Sequence, residues 1–346
     1  MKLPYSLVLT DRAEVIGHFL QKNNKNYRKT ALIRNTIRKE IGNGLFTSDG
    51  DYWLKQRRAI QPGFHKKRLE GIARIMVEEI NHYMDNVLDV YAENNQEIDL
   101  LDEMAKLAFK VLTKSLFGQE FEDGKINAIG EMVSSSQKYV MNRTLKPYLK
   151  PWYYVNGDYA ENERLKKVRD KIIIEFIEDR KRSGEKVDDL LDMLLETEYE
   201  DGSGMTNQQL LDESILLLIA GHETSAVTMS WVGSLLDTDP EVEDKLLNSV
   251  LDTLGDKDPT FEDTRALGYT LQVLEESMRM YPAVWFADRE PLEDDEINGV
   301  KIKKGEDVGC FIYGLHRNPD YWKKVRTLKR VFDPKNIIAP GRYNIL

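Results

Sequence analysis

Hydrophobic residues recur along most of this chain at the three- and four-residue spacing of amphipathic helices. The clearest stripe consists of Leu69, Ile72, Met76, Ile80, Met84, Val87 and Tyr91. Two more helices are predicted over residues 100–117 and 159–182, the second highly charged. The short apolar run 6–10 is typical of a strand, and a helix is predicted to follow it from Asp11. Helices therefore dominate the predicted structure.

Helix start and stop signals divide the second half of the chain. Thr206 and Gln209 form a capping-box pattern that predicts the start of a long helix. Asp239-Pro240 places a capping residue before a proline at the first helical position, so another helix is predicted to begin there. A third helix is predicted to end at Tyr281-Pro282, because a residue that precedes proline disfavours the helical conformation.

The predicted strands are few and lie near the end of the chain. Residues 297–303 and 306–312, separated by Lys304-Gly305, predict a small β-hairpin. Strands do not alternate with helices, which argues against a doubly wound dinucleotide-binding fold. The predicted fold class is mainly α with a small β region, as a single α-rich domain over residues 1–346.

Composition and charge indicate which partners and which cellular compartment the protein is expected to have. The net charge of −10 argues against general nucleic-acid binding. The single cysteine, Cys310, excludes an internal disulfide and fits a reducing compartment. Residues 1–4 lack a signal sequence, and the longest apolar run, near 216–220, is too short to span a bilayer before Glu223. A cytoplasmic protein without a membrane anchor is therefore predicted.

One stretch reverses the overall negative charge. Residues 52–69 contain no acidic residue, and their basic residues are Lys55, Arg57, Arg58, Lys66, Lys67 and Arg68. Two interpretations stay open: a solvated helix face, or a surface that binds an acidic partner.

The most informative motif interrupts the long apolar helix with Ala220-Gly221-His222-Glu223-Thr224. Gly221 removes side-chain bulk, so a flat group and a diatomic ligand can approach the helix. The Thr224 hydroxyl can bond a carbonyl one turn back or a water. Glu223 can exchange protons with solvent and pass them into an apolar pocket. The alternative is a packing glycine beside a solvent-facing glutamate.

Two further pairs of residues carry weaker signals. Glu276 and Arg279 lie three residues apart, so they share a helix face and can pair. Trp53 and Arg57 lie about one helical turn apart, and their N–H donors suit a carboxylate. Each pair alone has an ordinary alternative: a surface ion pair for the first, and a partly buried tryptophan beside an exposed arginine for the second.

Taken together and in order, these motifs are more specific than any one of them alone. Along the chain come Trp53 and Arg57, the 220–224 motif, Glu276 and Arg279, then Arg289, and finally His316-Arg317-Asn318-Pro319. In this order and spacing they resemble the cytochrome P450 family of haem-thiolate monooxygenases over roughly residues 6–334. The resemblance implies that family's α-rich fold and a haem cofactor.

The resemblance also assigns roles to residues. The implied cofactor-binding residues are Trp53, Arg57, Ala220 and Arg289. The implied catalytic residues, which would deliver protons for O–O cleavage, are Gly221, Glu223 and Thr224. Glu276 and Arg279 would form a structural pair near the proximal side of the haem. The basic residues between positions 55 and 68 would dock an electron-donor protein, either a ferredoxin or a flavoprotein reductase.

The chain departs from the family at its ends. The family's loop Phe-x-x-Gly-x-Arg-x-Cys-x-Gly supplies the thiolate that ligates the iron, and here Gly341-Arg342 is followed by no cysteine. Cys310 lies in a strand-like segment and does not match the ligand position, so it is interpreted as a buried, inert thiol. Asn336 stands where the family carries an arginine. The expectation is therefore a chain truncated before the ligand loop and short at its N-terminus.

The histidines are not expected to replace the missing ligand. His222 would lie on the distal side of the haem, and His65 and His316 have no supporting spacing. Two functions follow from the sequence. The first is haem-dependent oxygenation of an apolar organic substrate, which no motif identifies further. The alternative is a truncated, non-catalytic relative that binds a ligand or a protein partner.

Overall fold

The structure is a computed structural model and describes residues 7–118, 122–321 and 323. Its helices, numbered in chain order, are α1 (Ala13–Gly17), α2 (Arg38–Ile41), α3 (Gly50–Ile60), α4 (Lys66–Tyr83), α5 (Asp89–Glu93), α6 (Leu100–Phe117), α7 (Asp123–Leu145), α8 (Lys150–Val155), α9 (Asp158–Ser183), α10 (Leu190–Leu195), α11 (Asn207–Thr238), α12 (Pro240–Leu254), α13 (Gly268–Met280) and α14 (Ile312–Leu315). The predicted dominance of helices is confirmed.

The strands form two small sheets. They are β1 (Leu7–Thr10), β2 (Tyr27–Arg28), β3 (Phe286–Pro291), β4 (Asp295–Ile297), β5 (Val300–Ile302) and β6 (Asp307–Phe311). The larger sheet has the order β1-β6-β3-β2, with β1 parallel to β6 and the other pairs antiparallel. The smaller sheet is the β4–β5 hairpin.

The described residues divide into two compact units. The helical unit comprises residues 31–226 and 258–262. The sheet unit comprises residues 7–30, 227–257, 263–321 and 323. The residue 226/227 boundary lies within α11, so that helix contributes its first part to one unit and its last part to the other.

The core of the helical unit is built by apolar faces of α4, α6, α7, α9, α10 and α11. Its fully buried members include Leu116, Phe117, Ile129, Val133, Ile173, Ile177, Leu191, Leu194, Leu210 and Leu218. These residues recur at helical spacing, so each helix turns one apolar stripe inward. The smaller core of the sheet unit is formed by Phe19, Tyr27, Ile297, Ile302, Val308 and Cys310.

Several predicted boundaries are confirmed. The helix predicted over 100–117 is α6, and the one over 159–182 lies within α9. The capping box is reciprocal: the Thr206 backbone N–H donates to Gln209 Oε1 at 2.9 Å, and the Gln209 N–H donates to Thr206 Oγ1 at 3.2 Å. Helix α12 begins at Pro240, and α13 ends just before Tyr281. The predicted first strand is β1, although Ser6 lies outside the described residues.

The hairpin predicted across Lys304-Gly305 is wrong. Strand β6 does not pair with β5 but lies between β1 and β3. The hairpin joins β4 to β5 through Asn298 and Gly299, whose φ angles are +52° and +81°. Positive φ at both central residues is the geometry that Asn-Gly favours in a two-residue hairpin. Strand β6 is buried at its centre and therefore fills an interior position, whereas β5 is mostly exposed.

Among the helices of the described residues, only α11 is long and apolar enough to cross a membrane. The sequence predicts no membrane-spanning helix here, because the uninterrupted apolar run ends before Glu223. The first part of α11 belongs to the buried core of the helical unit. Core helices of soluble proteins pass the same test of length and composition, so the absence of a membrane anchor stays a prediction.

Candidate functional site

The motif at residues 220–224 lies in the middle of α11. The Thr224 Oγ1 hydroxyl donates to the Ala220 carbonyl at 2.7 Å, which is the bond to the preceding turn that the sequence allowed. Ala220 is exposed and Thr224 is half-buried, whereas Leu218 is fully buried on the other side of the helix. One face of α11 therefore presents a small apolar side chain and a hydroxyl.

Gly221 has a packing role in the structure. A Cβ atom built on Gly221 would lie 2.9 Å from Cδ2 and 3.3 Å from Cδ1 of Leu112 in α6. Any side chain at this position would require Leu112 to move. The close approach of α6 to α11 supports the packing alternative for Gly221, and its catalytic role stays a prediction.

Glu223 is an exposed carboxylate held by a neutral partner. Its Oε2 accepts a hydrogen bond of 2.8 Å from the side-chain amide of Gln137, which projects from α7. The side chain is thus oriented while it stays in contact with water, and a group that relays protons from solvent needs both properties. Sequence reasoning missed Gln137, because no local spacing connects residues 86 positions apart.

His222 faces the core and not the exposed side of α11. It is 7% exposed, and its ring meets the edge of Phe109 in α6 with 5.3 Å between ring centroids. Among the described residues no hydrogen-bond partner reaches its Nδ1 atom. Burial lowers the pKa of His222, because removal from water penalises the charged imidazolium. The neutral ring therefore acts as a packing residue.

Trp53 and Arg57 lie one turn apart in α3, as predicted. Trp53 is half-buried and Arg57 is exposed. Within residues 7–118, 122–321 and 323, the Arg57 guanidinium forms no salt bridge. An arginine without a carboxylate partner is available to an external anion such as a carboxylate or phosphate.

The loop that leads into α3 is fixed by two buried carboxylates of α11. The Asn43 backbone N–H donates to Asp212 Oδ2 at 2.8 Å, and the Leu45 N–H donates to Glu213 Oε2 at 3.2 Å. Burial raises the pKa of Asp212, and the hydrogen bond from Asn43 opposes that effect. These bonds connect the start of α11 to the segment that precedes Trp53.

Gly42 allows this close approach. Its φ of +85° belongs to the region that favours glycine, and a Cβ atom there would overlap the Asp212 carboxylate. The Thr47 hydroxyl donates to the Gly42 carbonyl at 2.6 Å and closes the loop. The sequence does carry a signal for this arrangement: two adjacent acidic residues in an apolar helix, and two glycines at positions 42 and 44.

Glu276 and Arg279 form the predicted pair in the sheet unit. The Arg279 Nε and Nη2 atoms donate to the two Glu276 carboxylate oxygens at 2.7 and 2.6 Å. Arg279 Nη1 also donates to the His316 carbonyl at 3.1 Å. The ion pair therefore fastens α13 to the segment after α14. Asn336, which stands at the family's arginine position, lies outside the described residues.

Arg289 lies in β3 of the sheet unit, opposite Val308 of β6. Its Nη1 donates to the carbonyl of its neighbour Asp288 at 2.6 Å, and its side chain is half-buried. Burial raises the pKa of Asp288. Arg289 belongs to a different unit from Trp53 and Arg57, and its predicted role stays a prediction.

Cys310 is 3% exposed in β6, where it pairs with Thr10 of β1 and Ala287 of β3. Burial raises the pKa of its thiol, which disfavours the thiolate that would ligate a metal. Over the described ranges, no group of three or more His, Cys, Asp or Glu residues is arranged to hold a metal ion. Gly341-Arg342, where the sequence departs from the family's ligand loop, lies outside the described residues.

Most of the basic residues between positions 55 and 68 are neutralised within the helical unit. The ion pairs are Lys55–Asp201 at 3.1 Å, Arg58–Glu200 at 3.6 Å, Arg68–Glu196 at 2.8 Å and Lys66–Glu262. In the described part of the chain, Arg57 and Lys67 form no ion pair. The four paired residues fit the interpretation of a solvated, ion-paired surface, and only two cations stay available to an acidic partner.

Comparison with known proteins identifies the fold and the family. The crystal structure of the cytochrome P450DA heme domain superposes with a TM-score of 0.79, covering 91% of this chain and 69% of that one at 22% sequence identity. The cytochrome P450 family model matches residues 3–335. This α-rich chain, with its two small sheets and its long helix α11, therefore has the P450 fold. It belongs to the cytochrome P450 family.

Two relatives illustrate the similarity. Protein LUTEIN DEFICIENT 5, chloroplastic, from Arabidopsis thaliana is 28% identical over 335 residues, which cover 92% of this chain and 56% of that protein. Cyclooctat-9-en-7-ol 5-monooxygenase from Streptomyces melanosporofaciens is 30% identical over 285 residues, which cover 82% and 61%. The chain thus spans somewhat more than half the length of these relatives.

Two residues of the helical unit have side chains of the kinds that a haem site uses. Ala220 offers a small exposed apolar surface, and Arg57 offers a guanidinium without a carboxylate partner among the described residues. Both features suit a flat apolar ring system with anionic propionates. The iron's thiolate ligand has no candidate at an exposed position, because the one cysteine of the sequence is buried in β6.

Proposed function

We propose that this chain carries the oxygen-side helix and propionate-binding residues of a haem-dependent monooxygenase. The observation that carries the proposal is the middle of α11, where Thr224 bonds back to Ala220 and the neighbouring Glu223 is exposed to solvent. Membership of the cytochrome P450 family supports it, as does the monooxygenase named among its relatives. An apolar organic substrate is the class that fits.

Haem is the proposed cofactor. Within the helical unit, Trp53 and Arg57 would hold its propionates, and Ala220 would lie against its ring. Arg289 of the sheet unit keeps the propionate-binding role that the resemblance assigns to it. When bound, haem supplies the iron at which oxygen is reduced. Haem binding is proposed from membership of the family and from the Arg57 guanidinium, which pairs with no described carboxylate.

Two side chains of α11 are proposed to handle protons. Glu223 takes up protons from water, and the hydrogen bond from Gln137 keeps its carboxylate near the helix surface. The Thr224 hydroxyl donates its one proton to the Ala220 carbonyl, so its oxygen is proposed to accept a hydrogen bond from a water that carries the proton from Glu223. To donate toward the exposed face, the hydroxyl would first have to release the Ala220 carbonyl. Gly221 is proposed to contribute by letting α11 pack closely against Leu112 of α6.

The first test is haem binding by the folded chain. We expect saturable one-to-one binding in a haemin titration followed by absorbance. Arg57→Ala is expected to weaken the affinity about tenfold, because a charge-assisted hydrogen bond to a carboxylate is lost. Lys67→Ala is the matched control, since it removes another exposed cation of the same stretch that pairs with no described residue.

Two results would overturn the haem proposal. One is a cooperatively folded chain that fails to saturate with haemin, and the other is an Arg57→Ala variant that binds as tightly as the Lys67→Ala control. Either result would favour the non-catalytic alternative, in which the chain binds a ligand or partner without haem.

The electron donor is proposed to be an acidic protein, a ferredoxin or a flavoprotein reductase, in the cytoplasm. Arg57 and Lys67 are the two cations of the 55–68 stretch that pair with no described residue, and Arg57 is assigned to haem, which leaves Lys67 for the electron donor. A titration with a soluble plant-type ferredoxin tests this: Lys67→Glu should weaken binding, with the loss largest at low salt. Equal affinity of the variant and the parent at low salt would remove this surface from the proposal.

A further inference from the structure

Helix α12 of the sheet unit exposes two leucines to solvent. Leu247 is 55% exposed and Leu251 49%, and they lie four residues apart, so their side chains adjoin on one side of the helix. The inner side of the same helix carries Val242, Leu246 and Val250, all half-buried. The exposed leucines are therefore a second apolar row, separate from the row that packs α12 onto the protein.

Exposed carboxylates surround this outer apolar row. Glu243 and Asp244 precede Leu247 by four and three residues and therefore share its side of the helix, and Asp252 follows Leu251 directly. All three carboxylates are exposed, and none forms an ion pair with any described residue. These five exposed side chains of α12 are called the 243–252 face.

The charge of the 243–252 face limits what can bind to it. Residues 239–258 include seven acidic residues and only two basic ones, Lys245 and Lys257. The Lys245 ammonium lies 4.3 Å from the centre of the Tyr269 ring, so this cation contacts α13. Like charge disfavours a nucleic acid, an anionic membrane or the same face of a second copy. The face therefore suits an occupant that is both cationic and apolar.

The chain itself contains a segment with that chemistry. Residues 324–332, Lys-Val-Arg-Thr-Leu-Lys-Arg-Val-Phe, include four basic residues and no acidic one. Val325, Leu328 and Phe332 recur at intervals of three and four residues, the spacing of an apolar row flanked by cations. Residues 324–332 lie outside the described part of the chain, so the complementarity is one of sequence: apolar row to apolar row, and cations to carboxylates.

The length of this segment is compatible with contact to α12. Lys323, which precedes the segment, belongs to the same sheet unit as α12. Helix α13 contacts Lys245 of α12 through Tyr269, and ten residues further on Arg279 donates to the His316 carbonyl at 3.1 Å. Those ten helical residues correspond to about 15 Å. A nine-residue segment reaches up to about 30 Å, which is twice that distance.

We propose that residues 324–332 dock on the 243–252 face of the same chain. The apolar row of the segment would cover the two exposed leucines, and its cations would meet the carboxylates beside them. Burial of apolar surface favours the contact, and the carboxylates select a cationic occupant. The proposal concerns the sheet unit and does not depend on haem binding.

Disulfide cross-linking in the full chain tests this proposal. The variant N248C/T327C joins the exposed side of α12 to the middle of the segment. The matched control is T253C/T327C, because Thr253 is also exposed but lies on another side of the helix. Under mild oxidation we expect N248C/T327C to cross-link about tenfold faster than the control, since docking raises the effective concentration of the two thiols. Cys310 is buried and does not compete.

Charge reversal then tests whether the contact is specific. In the N248C/T327C background, E243K/D244K should slow cross-linking about tenfold, because two exposed attractions become repulsions. K329E/R330E should slow it to a similar extent. The four reversals combined should restore the original rate, which damage to α12 could not do. L247S/L251S should also slow the reaction, and far-UV circular dichroism checks that each variant keeps its helices.

Three outcomes would overturn the proposal. The first is an equal rate of cross-linking in N248C/T327C and T253C/T327C. The second is a combined charge reversal that stays as slow as either pair alone. The third is a disulfide that forms only between two chains, seen as a dimer on a non-reducing gel, which would make a second copy the source of the segment.

Discussion

At the scale of single residues, Gly221 shows how a short motif combines packing and chemistry. Its missing side chain lets Leu112 of α6 pack directly on α11. We expect Gly221→Val to destabilise the protein by about 2 kcal/mol, because the added methyl groups overpack this contact. Gly221→Ala should change stability by less than about 1 kcal/mol, since Leu112 can shift its side-chain end and alanine favours the helix.

Urea unfolding followed by circular dichroism measures both variants. The control is the double variant Leu112→Ala/Gly221→Val, in which the space for the valine has been provided. A coupling between the two substitutions of about 1 kcal/mol or more is expected for side chains in contact. Additive effects would mean that Leu112 does not restrict position 221.

His222 predicts a dependence of stability on pH. Burial lowers its pKa below the ordinary value of 6.5, so the unfolded chain binds a proton more readily than the folded chain. The free energy of unfolding should therefore fall as the pH drops below about 6.5. Burial also lowers the pKa of His316, so two histidines contribute to this fall.

His222→Leu should flatten that dependence without loss of stability at neutral pH. Leucine retains an apolar contact with Phe109, and it removes a buried nitrogen that has no partner among the described residues. Urea midpoints at about pH 5.5 and pH 7.5 provide the comparison. An unchanged difference between the two midpoints in the variant would show that His222 is not the titrating group.

At the scale of elements, the loop before α3 depends on Gly42. Gly42→Ala combines an unfavourable positive φ with overlap on the Asp212 carboxylate. Gly50 has a φ of +62° but open space around the position of a Cβ atom, so it is the matched control. We expect Gly50→Ala to cost about 1 kcal/mol and Gly42→Ala about 2 kcal/mol more.

The two glycine variants are compared by urea unfolding and by haemin titration. A displaced 42–49 loop should weaken haem binding in Gly42→Ala more than in Gly50→Ala, because the loop positions the start of α3. Equal stability of the two variants would mean that the Asp212 contact does not restrain the loop.

Elements with local signals were predictable from the sequence. The capping box at Thr206 and the apolar stripe of α6 fix helix boundaries through contacts within a few residues. The hairpin predicted across Lys304-Gly305 is wrong, because β6 pairs with distant β1 and that pairing has no local signal. The hairpin that does form has one, since Asn298-Gly299 is a strong local turn signal.

At the scale of the whole molecule, motif order identified the family although each motif alone was weak. Contacts between distant residues were not predictable in the same way. Gln137 reaches Glu223 only because α7 lies beside α11, and Asp212 holds Asn43 only because the loop before α3 lies against α11. No spacing within one segment of sequence records that packing, so the residues that support the site had to come from the structure.

The last prediction concerns whether Cys310, the one cysteine of the sequence, can ligate haem iron. Its thiol is buried between two strands, and burial raises its pKa. We therefore expect the haemin-loaded chain, reduced and exposed to carbon monoxide, to lack the red-shifted Soret band of thiolate ligation. Cys310→Ser should give the same spectrum and, at most, a loss of about 1 kcal/mol in stability from a buried hydroxyl. A thiolate-type band that disappears in Cys310→Ser would instead mean that β6 opens to bring Cys310 to the iron, and the arrangement of the sheet unit would have to be revised.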